Sequence, residues 1–408
     1  METQSLFQQI EALKPEMVTA LMRLMRVVAI GPESGGEGES AKADVLLQIL
    51  SEVGFDRIER YDADDSRVPS GKRPNVVAYL DGKADAKRLW IVSHLDVVPS
   101  GEESLWKVTK PFKPTLQNGC VFGRGSEDNG QSLVASVFAV KGLKQLGVKV
   151  NRSVALAFVS DEEQGSTMGI RHLISLGLFR KDDLVLVPDS GEPSGNFIEI
   201  AEKSILWFKV VTFGKQSHGS MPNKGLNAHR IGMQLALAWD AELHRKYSGR
   251  NDYFTVPYST FEPTKKEKNV DAVNIVPGED VVYFDCRVLP QYDLEEVLAD
   301  VGRVAAGFEA ETGAKISIEV LQKQSAPSVV DNESEIVVLL KKAILQARGL
   351  EATVGGIGGG TCAAFFRKNG IPAVVWSTID EVAHQPDEYA RVANMVADAK
   401  VFALLACL

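Results

Sequence analysis

The chain has 408 residues, with 54 acidic side chains against 45 basic ones and a net charge of -9 at pH 7. An acidic balance without a block of lysines and arginines excludes a phosphate-backbone partner, so no nucleic acid is expected. Hydrophobic residues make up 45%, enough for a full core, and no apolar run approaches the ~20 residues that span a bilayer, so no membrane partner is expected either.

Phe7, Ile10, Leu13, Met17, Leu21 and Leu24 recur at helical spacing. The chain should therefore open on one amphipathic helix ending near Ile30, and not on a signal peptide. After the loop Gly31 to Gly36, Ser40 is the expected N-cap of a second helix that Gly54 stops. Asn75 to Leu80, Leu89 to Ser93, Val154 to Ser160 and Leu184 to Val187 read as strands, with a helix from Gln131 to Leu146 between them. Apolar strands alternating with helices predict a mostly parallel mixed sheet covered on both faces, an α/β fold.

The pattern changes after about Ala201. Strands are expected at Ile205 to Phe213, Val281 to Val288 and Lys315 to Leu321, and helices at Asn227 to His244 and Asp293 to Thr312. This reads as a small inserted α+β domain over 204–323, dividing the α/β domain into 1–203 and 324–408. The mixed-sign run Lys265-Lys266-Glu267-Lys268 reads as a solvated loop. The α/β pattern resumes with a helix from Ser334 to Arg348, a strand from Ala373 to Ser377 and a C-terminal helix. Cys120, Cys286, Cys362 and Cys407 are widely spaced, which argues against disulfides or a cysteine zinc site and fits a reducing, cytoplasmic setting.

Five short motifs carry the chemistry. His94-Leu95-Asp96 stands where an apolar strand runs out, and carboxyl ends of strands are where open α/β sheets bind ligands. Residues i and i+2 of a strand face one way, so Asp96 can orient the His94 ring. Gly123-Arg124-Gly125-Ser126-Glu127-Asp128-Asn129 precedes a helix, and Asp128 taken alone would be its cap. Asp161-Glu162-Glu163 puts three like charges at one strand end, a cost that a cation relieves. Pro188-Asp189-Ser190-Gly191 and Ala383-His384-Gln385-Pro386-Asp387-Glu388 follow two further strands. Each of these last two singly reads as a turn, and His94-Leu95-Asp96 singly as a hydrogen-bonded histidine near a strand end. Jointly they place imidazoles and carboxylates along one sheet edge, a donor set that suits Zn²⁺ and exceeds one tetrahedral site, leaving a carboxylate to bridge two ions.

The motifs S-H-x-D-V-V-P, G-R-G-x-x-D, D-E-E, P-D-S-G and a late His, in this order, resemble the co-catalytic zinc hydrolases. That family includes acetylornithine deacetylase, succinyl-diaminopimelate desuccinylase, aminoacylase and glutamate carboxypeptidase. The resemblance implies a zinc-peptidase-like fold with an inserted dimerisation or lid domain. It implies His94, Asp128, Glu163, Asp189 and His384 as ligands, with Asp128 bridging two divalent ions, most simply Zn²⁺ with Co²⁺ or Mn²⁺ as alternatives. It further implies Asp96 as the residue orienting His94 and Glu162 as the general base. His218 would act across a homodimer interface, and Asn274, Arg287, Gly360 and Thr361 would contact substrate. Two positions depart from the family pattern. Asn129 replaces a common lysine, and Asp380 replaces the asparagine of the desuccinylases, where a carboxylate would suit a substrate ammonium. His172, His229 and His244 lie in helical patterns without acidic partners and read as structural.

The expected function is hydrolysis of the amide bond of an N-acyl amino acid or small peptide. The alternatives are a dipeptidase or carboxypeptidase with the same metal site, and a non-catalytic binding protein on the scaffold. The run Gly355 to Thr361 does not fit the dinucleotide fingerprint, and no G-x-S-x-G elbow occurs.

Overall fold

The computed structural model describes residues 3–83 and 87–408. Leu89–His94 buries all six of its side chains, as a strand covered on both faces must. It lies inside an eight-stranded sheet in the order Arg57–Arg60, Val76–Leu80, Val154–Val159, Leu89–His94, Leu184–Val187, Ala373–Val375, Phe197–Glu202 and Thr353–Ile357. The four consecutive strands from Val154–Val159 to Ala373–Val375 run parallel, so their carboxyl ends share one edge. Val76–Leu80 and Phe197–Glu202 flank them antiparallel. The expected α/β class, with a mixed sheet parallel at its centre, is what forms.

One face of the sheet packs Trp90, Val92, Ala157 and Val187 under the helices Ile170–Ser175 and Ala363–Lys368. Phe179 links the layers, 4.4 Å from the Trp90 ring and 4.7 Å from that of Phe366. Helices Gln131–Gln145 and Val392–Cys407 pack on each other and are buried along most of their length. All four cysteines are free, and three are buried.

The chain divides into two compact units, one of residues 1–200, 328–354 and 361–408, the other of 201–327 and 355–360. The second has an antiparallel sheet in the order Thr260–Lys266, Glu279–Val288, Ser204–Phe213 and Lys315–Gln324. Helices Ala228–Lys246 and Leu294–Thr312 are capped by the side chains of Asn227 and Asp293. Its core centres on Phe208 stacked on Phe284 at 5.0 Å, with Trp239 edge-on to both.

Four local expectations are corrected. The opening helix is two, Thr3–Ala12 and Lys14–Met25, because Pro15 has no N–H to donate and fits only a helix's first turn. Ser40 is the first residue of its helix, not the cap; Glu39 stands at that position. Lys265 and Lys266 belong to a strand, and Lys266 is paired with the buried Asp280 at 2.7 Å. Two of the histidines do have acidic partners: His229 contacts Asp280 at 2.9 Å and His244 contacts Asp240 at 3.2 Å.

A Cβ on Gly191 would fall 1.9 Å from the carbonyl oxygen of Ser377, which explains why the P-D-S-G turn ends on glycine. We expect Gly191→Ala to cost about 3 kcal/mol in urea unfolding. Gly302, inside a helix with open space where its Cβ would stand, should instead gain about 0.5–1 kcal/mol as alanine.

Candidate metal centre

The parallel strands set the site. Leu89–His94 ends on His94 itself, and Val154–Val159 runs out just before the turn Glu162–Gln164. Leu184–Val187 stops two residues before Asp189, and the loop after Ala373–Val375 carries His384. These segments bring the other four expected ligands together with Asp128. His94 Nε2 lies 2.7 Å from Asp128 Oδ1 and 3.3 Å from Asp189 Oδ1. His384 Nε2 lies 3.0 Å from the other Asp128 oxygen and 3.2 Å from Glu163 Oε2. Asp128 therefore stands between two imidazoles with one oxygen toward each. The groups His94, Asp128, Glu163 and His94, Glu162, Asp189 each gather ligand atoms within 4.8 Å.

Asp128 is not a helix cap. The helix begins at Gln131, and Asp128 has extended backbone angles, with a cis peptide to Asn129. Asn129, one of the departures, donates from Nδ2 to the Pro188 carbonyl and to Asp189 Oδ1, both at 2.7 Å. It thereby ties the Asp128 segment to the Asp189 segment.

His94 Nδ1 lies 3.0 Å from the Asp96 backbone carbonyl and 3.5 Å from its carboxylate. A carbonyl only accepts, so this contact requires the proton on Nδ1 and leaves Nε2 facing the acids. The Asp96 carboxylate has a further task. It accepts the amides of Glu162 at 3.1 Å and Glu163 at 3.0 Å, fixing the D-E-E turn beneath the site.

The electrostatics are those of buried acids packed around two imidazoles. Burial, then the neighbouring Asp189, raises the Glu162 carboxyl well above its ordinary range. Burial and Asp128 push Glu163 up to about 7. His384 rises to about 10 through its hydrogen bonds to Asp128 and Glu163. His94 is raised despite burial, because Asp189 and Asp128 outweigh it. Burial works against Asp128 too, but His384 and His94 hold its carboxyl below the usual range. Glu163 Oε1 is buried and has no hydrogen-bond partner among the described residues. A carboxylate oxygen left bare in the interior fits a metal ligand, as does the mixed nitrogen and oxygen donor set.

Three buried residues escaped the sequence reading. Lys42 lies buried on its helix, its ammonium pushed down to about 8 by burial against the pull of Asp96, Glu388 and Asp128. Its helical position gives no sign of this. Glu127 and Glu388 are hidden differently, since each stands in a quoted motif but beside a more conspicuous residue.

Asp380 is paired with Arg391, whose Nε donates to Oδ2 at 2.9 Å and whose Nη2 lies 2.7 Å from the same oxygen. Thr361 is buried, and its Oγ1 accepts the Ala363 amide at 3.1 Å. Gly360 belongs to the second unit. There the short strand Ser217–His218 pairs with Ile275–Val276, and the Gly219 amide donates to the Asn274 carbonyl at 2.7 Å, so His218 and Asn274 are neighbours. Arg287 is held by Asp285 at 2.6 Å and donates to the Gly358 carbonyl at 3.0 Å.

Residues 90–407 match Peptidase family M20/M25/M40. The chain belongs to this family. M20 membership makes it a metallohydrolase of amide or peptide bonds, as the motifs led one to expect. An uncharacterised metallohydrolase of Methanocaldococcus jannaschii is 40% identical, covering 93% of this chain and 96% of that protein. A succinyl-diaminopimelate desuccinylase of Alkalilimnicola ehrlichii is 25% identical over 88% of this chain and 91% of that one. Human carnosine dipeptidase 1 shares the fold, with a TM-score of 0.80 at 17% identity, covering 100% of this chain and 98% of its own. Among the described residues no helix is long and apolar enough to cross a membrane.

The Asp96 carboxylate makes its own prediction. Asparagine there would turn an N–H toward one of two N–H donors, so Asp96→Asn should cost about 1–3 kcal/mol in denaturant unfolding of the metal-free protein.

Proposed function

We propose that the chain is a two-metal deacylase that hydrolyses the amide bond of an N-acyl amino acid, with Zn²⁺ as its resident ion. The observation that carries this is Asp128 set between His94 and His384, with Glu163, Asp189 and Glu162 around them. His94, Asp128, Glu163, Asp189 and His384 would hold the ions, and the two-sided placement of Asp128 suits a bridge. Two divalent ions, when bound, supply Lewis acidity toward the scissile carbonyl and acidify a water. Glu162 is the base of this reading. It takes a proton from the attacking water and returns it to the leaving amine. Asp96 holds both the His94 ring and the amide of Glu162, so ligand and base share one support.

The resemblance assigns His218, delivered from a second copy of the chain, to the oxyanion, and Arg287 to the substrate carboxylate, whose planar geometry a guanidinium matches. Asn274, Gly360 and Thr361 are assigned further substrate contacts. The free cysteines support a cytoplasmic setting.

Asp380 bears on the substrate. One oxygen of its carboxylate is already paired with Arg391, which argues against recognition of a free amino terminus there. The second reading is a dipeptidase or carboxypeptidase, supported by the dipeptidase named above among proteins of this fold. Turnover of N-acyl amino acids over dipeptides supports the first, and the reverse order overturns it.

Glu162→Ala should keep its metal content while turnover falls about 10²–10⁴-fold. Intact turnover would remove Glu162 from this role. Mixing His218→Ala and Glu162→Ala chains should restore part of the activity through mixed dimers. No recovery in verified mixed dimers would count against donation between subunits.

A further inference from the structure

Two buried carboxylates that ligate nothing in the proposed site face each other's ligand segments. Glu127 immediately precedes Asp128, yet its side chain reaches away into the loop that carries His384. Its Oε1 accepts the Asp380 amide at 2.6 Å, and its Oε2 accepts those of Val382 at 2.6 Å and Ala383 at 2.9 Å. Glu388, four residues after His384, reaches back the other way. Its Oε1 accepts the amides of Glu127 at 2.9 Å and Asp128 at 3.1 Å, and its Oε2 accepts that of Gly125 at 3.0 Å and Nη1 of Arg124 at 2.6 Å. Both are enclosed, with 3% and 0% of their surface exposed. Each carboxylate thus grips the backbone on which the other stands.

The His384 loop needs such a grip. Glu381, His384 and Asp387 all have positive φ, at 61°, 63° and 57°. Non-glycine residues there cost roughly 1 kcal/mol or more apiece and persist only where surrounding contacts over-determine the backbone. The His384 side chain is 54% exposed, so packing does not hold it. A further anchor of the loop is Asp387, whose carboxylate accepts the amides of Lys107 and Val108. Charged acceptors taking several N–H donors are among the stronger hydrogen bonds, and here six backbone donors lie across one seam.

We propose that Glu127 and Glu388 form a reciprocal clasp that locks the Asp128 segment to the His384 loop, making them positioning residues that set the distance between the bridging carboxylate and its second imidazole. The clasp rests on the two-metal reading for its purpose, but not for its geometry. It makes Asp128 and His384 a preassembled pair, so the metal-free protein already holds them together.

The test strips wild type and Glu127→Gln of metal and titrates each with Zn²⁺ against a chromogenic chelator, recording the melting temperatures of the metal-free forms. Glutamine keeps one acceptor oxygen but loses the other. The expected result is a folded variant whose weaker Zn²⁺ dissociation constant rises about 10–100-fold. Unchanged affinities in a folded variant, even one that melts lower, overturn the clasp as a positioning device. Amide hydrogen exchange of metal-free wild type gives a second reading that needs no variant. Asp380, Val382, Ala383, Glu127 and Asp128 should exchange slowly as one group, and rapid exchange there overturns the proposal even should the variant fail to fold. Wild type that takes up no Zn²⁺ would overturn the two-metal reading instead, and exchange would still decide the clasp.

Discussion

Carboxylates gathered where water is excluded repel one another, and this repulsion is the constraint around which the first unit is organised. Asp96, Asp128, Glu162, Glu163 and Asp189 lie around His94 at the ends of strands buried on both faces. Burial alone would neutralise several of them, and its direction is visible in the raised carboxyls of Glu162, Glu163 and Asp189. The protein does not relieve this by spreading the acids apart. It holds Asp96 with backbone amides and sets Asp128, Asp189 and Glu163 against imidazoles, leaves Glu163 Oε1 bare, and keeps an arrangement that cations would complete. That is a cost in stability accepted for a site, of the kind functional centres impose on their folds.

The support beneath the acids is itself charged. Lys42 and Arg73 are buried on the same side, Arg73 bonding to Glu39 at 2.7 Å and standing 3.6 Å from Asp161. Arg124 pairs with Glu388 at 2.6 Å. Removing one member of a buried pair strands the other, which is why such networks resist piecemeal change. The first acid of the D-E-E turn belongs to this support and not to the ligand set. Asp161 adopts a positive φ of 65° and turns its carboxylate to the Met168 amide and toward Arg73.

Much of this was legible in sequence, for a physical reason. Residues 89–94 and 184–187 are short apolar runs whose burial leaves few alternatives to a central strand, and polar motifs just beyond them then share an edge by geometry alone. What escaped depends on partners distant in the chain. The break at Leu13 turned on Pro15 outranking an unbroken apolar period. Lys266 read as solvated because Asp280, its buried partner, lies in another strand. Glu127 and Glu388 read as companions of the ligands beside them, though their targets are each other's segments. Periodicity reports which face a residue occupies; it does not report which of two adjacent acids turns inward.

The two positions that depart from the family pattern follow the same logic. A substitution near a metal centre invites reading as a specificity determinant, but both side chains have partners within the protein. Asn129 spends its amide on Pro188 and Asp189, and Asp380 spends an oxygen on Arg391. Asn129 replaces a cation by a neutral donor bonded to a ligand segment, so its effect falls on where Asp189 sits. Asp380 brings Arg391 with it, so that position carries an ion pair and not an isolated carboxylate. Half-exposed, the Arg391 guanidinium keeps a face toward solvent.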